Sequence, residues 1–293
     1  MAARILDGRA LAAELREAAA GRSARLRARG VVPRLEAVVV GADPASLAYV
    51  RSLQTAGEKA GVEVRIARLP DDCDEARVRT VLHVLGEDPL VHGVILQQPL
   101  PAHLELRRIA EAMPPAKDVD ATNPLNLGRL AFRAGTELVA ATPSAVMLLL
   151  ERSERSALRG VRACVVGRSS VVGLPVALLL LARDATVTLV HRRTIDLPSY
   201  TRDAEVLIAA AGTPGLIRGE MVTPGATVID VGTNYVDGKL CGDVAYDEVA
   251  AVAGEITPVP GGVGPVTTLA LMMNVLTSAE QIASASLRRE GAV

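Results

Sequence analysis

No tryptophan and a single phenylalanine occur among the 293 residues, so a flat ligand would have only four tyrosines on which to stack. Lysine is nearly as scarce, and Lys59, Lys117 and Lys239 are the whole supply. The three cysteines, Cys73, Cys164 and Cys241, are too few and too widely spaced for a disulfide framework or a zinc site. No apolar run reaches the ~18 residues of a transmembrane helix, and the N-terminus lacks the apolar core of a secretion signal. Neither charge sign is in excess: 32 basic and 33 acidic residues leave a net charge of −1, which argues against a nucleic-acid or membrane surface. A soluble, cytoplasmic, metal-free protein acting on a small molecule is expected.

What the chain does have is length for two domains and a regular alternation of strand-like and helix-like segments. Candidate strands are Leu35–Val40, Val62–Ala67, Gly93–Gln97, Ala163–Gly167, Thr186–Val190, Val206–Ala210 and Thr227–Val231. Helical patterns run over Gly8–Arg29, Pro44–Gly61, Asp74–Leu85 and Val171–Ala182. This predicts an α/β fold of parallel sheets with helices on both faces. The expected division is a substrate domain, residues 1–141 and 265–293, and a Rossmann-like dinucleotide-binding domain, residues 142–264. The last helix, predicted after Pro265, returns to the first domain.

The run Thr257–Pro265 holds three prolines and three glycines but no charge. Proline fixes φ, and glycine permits angles and close approaches closed to other residues. Such a loop ahead of a helix can present bare N–H groups to a flat or anionic ligand, or serve as a rigid crossover.

Cys164–Pro175 reads as strand, tight turn and helix, with Gly167 and Gly173 bracketing the turn. Bare backbone there can approach a pyrophosphate at the positive end of a helix. The spacing departs from G-x-G-x-x-G, because Ser169 takes the second glycine position and Gly173 arrives one residue late. After the next strand an NAD-binding unit usually places an acid on the ribose; this chain has Arg192 and Arg193, with Arg168 in the first turn. A guanidinium grips a 2′-phosphate that a carboxylate would repel. NADP is therefore expected over NAD.

In the first half, Asp43-Pro44 is a helix start, and Tyr49 and Leu53, four apart, share a face. Gln97-Gln98-Pro99-Leu100-Pro101 ends a strand, where functional loops of α/β proteins gather. Lys117-Asp118-Val119-Asp120 carries two acids, either of which could clamp a guanidine-like donor pair such as that of an amino-pterin.

These motifs, in this order along nearly the whole chain, resemble the methylenetetrahydrofolate dehydrogenase/methenyltetrahydrofolate cyclohydrolase enzymes of one-carbon metabolism. The resemblance implies a homodimer and a substrate cleft between a folate domain and an NAD(P) domain. It makes Tyr49 the stacking platform, sets Gln97 beside the reactive carbon, and gives Asp120 the pterin. Leu53 and Gln98 would line the substrate site, while Gly262, Val263, Gly264 and Pro265 would contact substrate and cofactor. Gly167, Arg168, Ser169 and Gly173 would bind the dinucleotide, with Thr233 on the nicotinamide side.

One departure stands out. The family pattern Tyr-Val-x-x-Lys is Tyr49-Val50-Arg51-Ser52-Leu53 here, and the resemblance assigns the missing lysine to the proton transfers of cyclohydrolysis. Gln98, Ala121, Ala140-Ala141 and Ala145 also depart from the family pattern, whereas the cofactor side stays close to it. Hydride transfer needs mainly geometry, but hydrolysis needs a placed base. The expectation is an NADP-dependent dehydrogenase with weak or lost cyclohydrolase activity. The alternatives are a reductase or dehydrogenase of a non-folate imine or iminium, a bifunctional enzyme using Lys117 or an ordered water as base, and a non-catalytic binding paralogue.

Overall fold

A computed structural model describes residues 2–133 and 138–290. In chain order the elements begin β1 (Arg4–Ile5), α1 (Gly8–Ala28), β2 (Arg34–Val40), α2 (Pro44–Ala60), β3 (Glu63–Leu69), α3 (Glu75–Glu87) and β4 (Gly93–Leu96). They continue with α4 (Leu106–Ile109), α5 (Pro124–Ala131), α6 (Ala141–Leu150), β5 (Arg162–Val166), α7 (Gly173–Ala182), β6 (Thr186–Val190) and α8 (Leu197–Thr201). The last are β7 (Val206–Ala209), β8 (Thr227–Asp230), β9 (Asn234–Val236), β10 (Lys239–Cys241), α9 (Tyr246–Ala250), β11 (Glu255–Ile256) and α10 (Val263–Glu290).

Contacts divide the chain into an N-terminal unit, Glu14–Ala141 with Thr268–Val293, and a central unit, Met1–Ala13 with Thr142–Thr267. The first residues therefore group with the central unit, not with the segment 1–141 in which the sequence put them. Their reason is backbone pairing: β1 lies parallel to β11, and Gly8 is so close to the loop before α10 that a Cβ there would lie 1.7 Å from the Gly262 carbonyl oxygen.

The N-terminal unit holds a parallel sheet of order β3-β2-β4, to which Asp118 adds a parallel bridge with Val94. Residues 35–40 of β2 are buried, as expected of a central strand covered on both faces. Asp43 caps α2 by accepting the Ser46 N–H at 2.7 Å, Pro44 starts it, and Gly61 ends it in the left-handed region. The central unit has a six-stranded parallel sheet of order β1-β11-β8-β7-β5-β6. Counted from β5, its strands run 2-1-3-4-5, so the order reverses between β5 and β7, where doubly wound folds bind their ligands.

The hairpin β9–β10 was absent from the sequence reading, although its turn, Asp237-Gly238, carries a hairpin signal. Helix α10 starts three residues before the expected Val266, taking Val263, Gly264 and Pro265 as its first turn. Proline is tolerated there because its missing N–H would have no partner within the helix.

Candidate functional site

In the central unit the β5 turn is built on glycine. Gly167 has φ +127°, and an added Cβ would lie 2.0 Å from the Ala210 carbonyl oxygen. A Cβ on Gly173 would lie 1.9 Å from the Gly167 carbonyl oxygen, so strand, turn and helix pack backbone to backbone. Helix α7 begins at Gly173, two residues later than expected, because Val172 lies off helical angles. Ser169 completes the turn by accepting the N–H groups of Val172 and Gly173 at 3.2 and 3.4 Å, which leaves its hydroxyl hydrogen to donate. Gly173→Ala is expected to weaken NADP at least tenfold in calorimetry, since the backbone must move where the pyrophosphate would approach.

At the end of β6, the Thr194 N–H donates to the His191 carbonyl at 2.7 Å, the His191 N–H to the Thr194 hydroxyl oxygen at 3.0 Å, and the Arg193 N–H to the His191 Nδ1 at 3.2 Å. This braced turn carries Arg192 and Arg193 in the open. Arg168 is also exposed. Among the described residues none of the three guanidiniums has a hydrogen-bond or ion-pair partner. Thr233 is exposed beyond β8, on a loop held by the Asp230 carboxylate, which accepts the N–H groups of Gly232, Asp243 and Val244. Bare glycine backbone, a helix start and three free guanidiniums fit a phosphorylated dinucleotide.

In the N-terminal unit the sheet order reverses between β2 and β4, and their carboxyl ends carry Gly41–Asp43 and Gln97. The Gln97 amide donates to the Gln98 carbonyl at 2.5 Å, and the Ser46 hydroxyl donates to the same oxygen at 3.4 Å. That shared acceptor fastens the start of α2 to the strand end, with Gln98 itself exposed. Tyr49, one turn beyond Ser46, is 37% exposed; burial, and then the charge of Asp120, push its phenol upward. Asp120 is pushed up to about 6, chiefly by burial, and accepts the Ala141 N–H at 3.2 Å.

The two acids of the Lys117–Asp120 run part company here. Asp118 is fully buried and accepts four hydrogen bonds, from the Thr122 N–H and hydroxyl, the Asn123 N–H and the Asn126 amide. It shapes the loop and has little left for a ligand. Asp120, with one donor among the described residues, keeps acceptor capacity for a donor pair. Two side chains of α10 brace this segment and escaped the sequence reading: Asn274 donates to the Val119 and Val139 carbonyls, each at 2.7 Å, and Ser278 to the Ala116 carbonyl at 2.8 Å. Their signal was a pair of polar residues four apart on an apolar helix.

Leu53 sits on the buried stripe of α2 with Ser46, Val50, Gly57 and Ala60, and has no exposed surface. A leucine at this position is thus packed into the core one helical turn past Tyr49. Lys59 is exposed in the last turn of α2. Lys117 donates its ammonium to the Asp88 carbonyl at 2.7 Å, and its own carbonyl accepts from Val94 near the amino end of β4, opposite the Gln97 end. Lys239 is on β10, in the other unit. In the loop before α10, Gly261 has φ +113°, and a Cβ on Gly262 would lie 2.6 Å from the Pro258 carbonyl oxygen. Tight chain packing accounts for both glycines; Gly264 is exposed and Pro265 half-buried, while Val263 turns inward.

Two family models match the chain: the catalytic domain of tetrahydrofolate dehydrogenase/cyclohydrolase over residues 6–120, and its NAD(P)-binding domain over residues 140–283. The chain belongs to this family. It is 50% identical to a Bordetella avium protein named bifunctional protein FolD, over 96% of this chain and 99% of that one. The FolD protein of Acidiphilium cryptum is also 50% identical, over 95% and 99%. Among solved structures, the bifunctional FolD enzyme of Campylobacter jejuni superposes with a TM-score of 0.93 at 38% identity, covering 96% of this chain and 99% of that one. A Trypanosoma brucei FolD complexed with NADP and an inhibitor gives 0.90 at 38% identity, covering 96% and 98%.

Proposed function

We propose that this protein is an NADP-dependent dehydrogenase of methylenetetrahydrofolate whose cyclohydrolase activity is weak or absent. The observation that carries the reading is the sealed, apolar Leu53 one turn past Tyr49, where the family pattern has a lysine, with the Lys117 ammonium held on the Asp88 carbonyl. When bound, NADP would supply the hydride acceptor for the folate's one-carbon unit, whose oxidation gives a methenyl cation. No proton moves in that step, so the protein's work is to hold the reacting partners in register. Asp120 would take the pterin's donor pair, Tyr49 would stack on the aromatic portion, and Gln97 would lie by the reactive carbon. Hydrolysis of the cation differs: the attacking water must lose a proton, a step in which a placed base is typically worth about 10²–10⁴ in rate.

The test is NADPH formation from methylenetetrahydrofolate by purified protein, with NAD in parallel. Robust NADPH formation without methenyl hydrolysis supports the reading. NADP binding without turnover would instead indicate another iminium-forming substrate or a binding paralogue. Arg192→Ala with Arg193→Ala is expected to weaken NADP about 10²–10⁴-fold and leave NAD nearly unchanged, because charge-assisted bonds to the 2′-phosphate contribute about 1.5–3 kcal/mol each. We further propose a cytoplasmic homodimer. Strand β6 is a sheet edge, and Leu189 on it and Leu181 on α7 are 37% and 44% exposed, leaving apolar surface for a second copy to cover.

A further inference from the structure

Asp243 is fully buried between β10 and α9, yet four donors converge on its carboxylate. Ala211 and Gly212 donate their N–H groups to Oδ2 at 2.5 and 2.8 Å, and the Thr213 N–H and the Asn234 amide donate to Oδ1 at 2.9 and 2.8 Å. The three N–H groups belong to one exposed loop, Ala211–Thr213, at the carboxyl end of β7. Ala210, just before it, is the residue that a Cβ on Gly167 would strike. The loop is thus the second lip of the crevice between β5 and β7.

We propose that Asp243 is a positioning residue for the nicotinamide half of NADP, a role that rests on the dinucleotide reading of this unit. Strand order decides which half. Arg192 and Arg193 follow β6, on one side of the β5 turn, while the loop follows β7 on the other side. With the 2′-phosphate by the arginines and the pyrophosphate at the turn, the loop faces the remaining half. Its chemistry agrees. Three successive N–H groups point inward to Asp243, and among the described residues the Ala211 and Gly212 carbonyls accept no hydrogen bond. Acceptors without competing donors suit the NH₂ of a carboxamide.

Asp243→Asn turns one acceptor oxygen into a donor facing N–H groups. It is expected to raise the Kd for NADP at least tenfold by calorimetry, and to lower kcat, while 2′,5′-ADP, which lacks the nicotinamide half, binds within twofold of wild type. Glu255→Gln is the control for general loosening. Glu255 is about as deeply buried in the same unit, held by Arg4, Thr227 and the Glu154 N–H, and its loss is expected to lower Tm with NADP affinity kept. If Asp243→Asn does not fold, Asn234→Ala removes one donor and is expected to raise the NADP Kd severalfold, again sparing 2′,5′-ADP. Equal losses of both ligands, or no loss of NADP, would overturn the proposal. Wild-type protein that binds neither would overturn the dinucleotide reading itself.

Discussion

Leu53→Lys is expected to create methenyltetrahydrofolate hydrolysis at least tenfold above wild type, with NADPH formation changed by less than about fivefold. The position is one turn past Tyr49 and fully buried. A lysine there would lose solvation, and burial drives an amine toward its neutral form, the form able to take a proton from water. The same burial makes the change costly: a well-packed leucine gives way to a polar group, so Tm is expected to fall by several degrees. Hydrolysis and NADPH formation are therefore compared per folded molecule, at a temperature where the variant is folded by circular dichroism. A folded variant with no gain would mean that the missing lysine is not what limits hydrolysis.

The second large effect concerns Asp120. Asp120→Asn is expected to weaken folate binding at least thirtyfold, because a carboxylate grips a two-donor edge through charge-assisted bonds that an amide cannot reproduce. It is also expected to raise Tm at pH 8. Burial raises this carboxyl from 3.8 to about 6, so between these values the folded protein binds the proton that the unfolded chain has released. Its contribution to stability thus falls as pH rises through that window, by at most about 3 kcal/mol at ~1.4 kcal/mol per unit. Above it the full cost of the charged, buried form remains. The gain from asparagine should be present at pH 8 and gone near pH 4. Asp230 is also raised to about 6, so the difference between variant and wild type isolates Asp120. Folate affinity of the wild type should fall as pH drops below 6, where Asp120 takes up its proton. A Tm gain independent of pH would contradict this account.

Much of this fold was legible because the central strands announce themselves: β2, β5, β7 and β8 are short β-rich runs bounded by turn residues, and all are buried in parallel sheets. The two-residue strands β1 and β11 were not, since two residues carry no period and their pairing joins Arg4 to Glu255. That pairing also groups the first residues with the central unit, where no local pattern would place them. The candidate residues Tyr49, Gln97 and Asp120 stood out by chemistry, Gln97 also by its place at a strand end. Leu53 was conspicuous as a departure, but its depth depended on tertiary packing that no local motif states. The place of Lys117, with its ammonium on the Asp88 carbonyl, depended on tertiary packing in the same way. Asp243 escaped for a related reason: it organises a loop about thirty residues earlier in the chain, and such pairings leave no periodic trace.

The central claim separates two reactions that share one substrate site, and a single mixture tests it. Protein, NADP and methylenetetrahydrofolate are combined, and NADPH and methenyltetrahydrofolate are followed together. The account predicts that the methenyl compound accumulates in step with NADPH, then decays no faster than in buffer containing no protein. Loss of the methenyl compound at a rate that grows with protein concentration, with formyltetrahydrofolate appearing in its place, would contradict it.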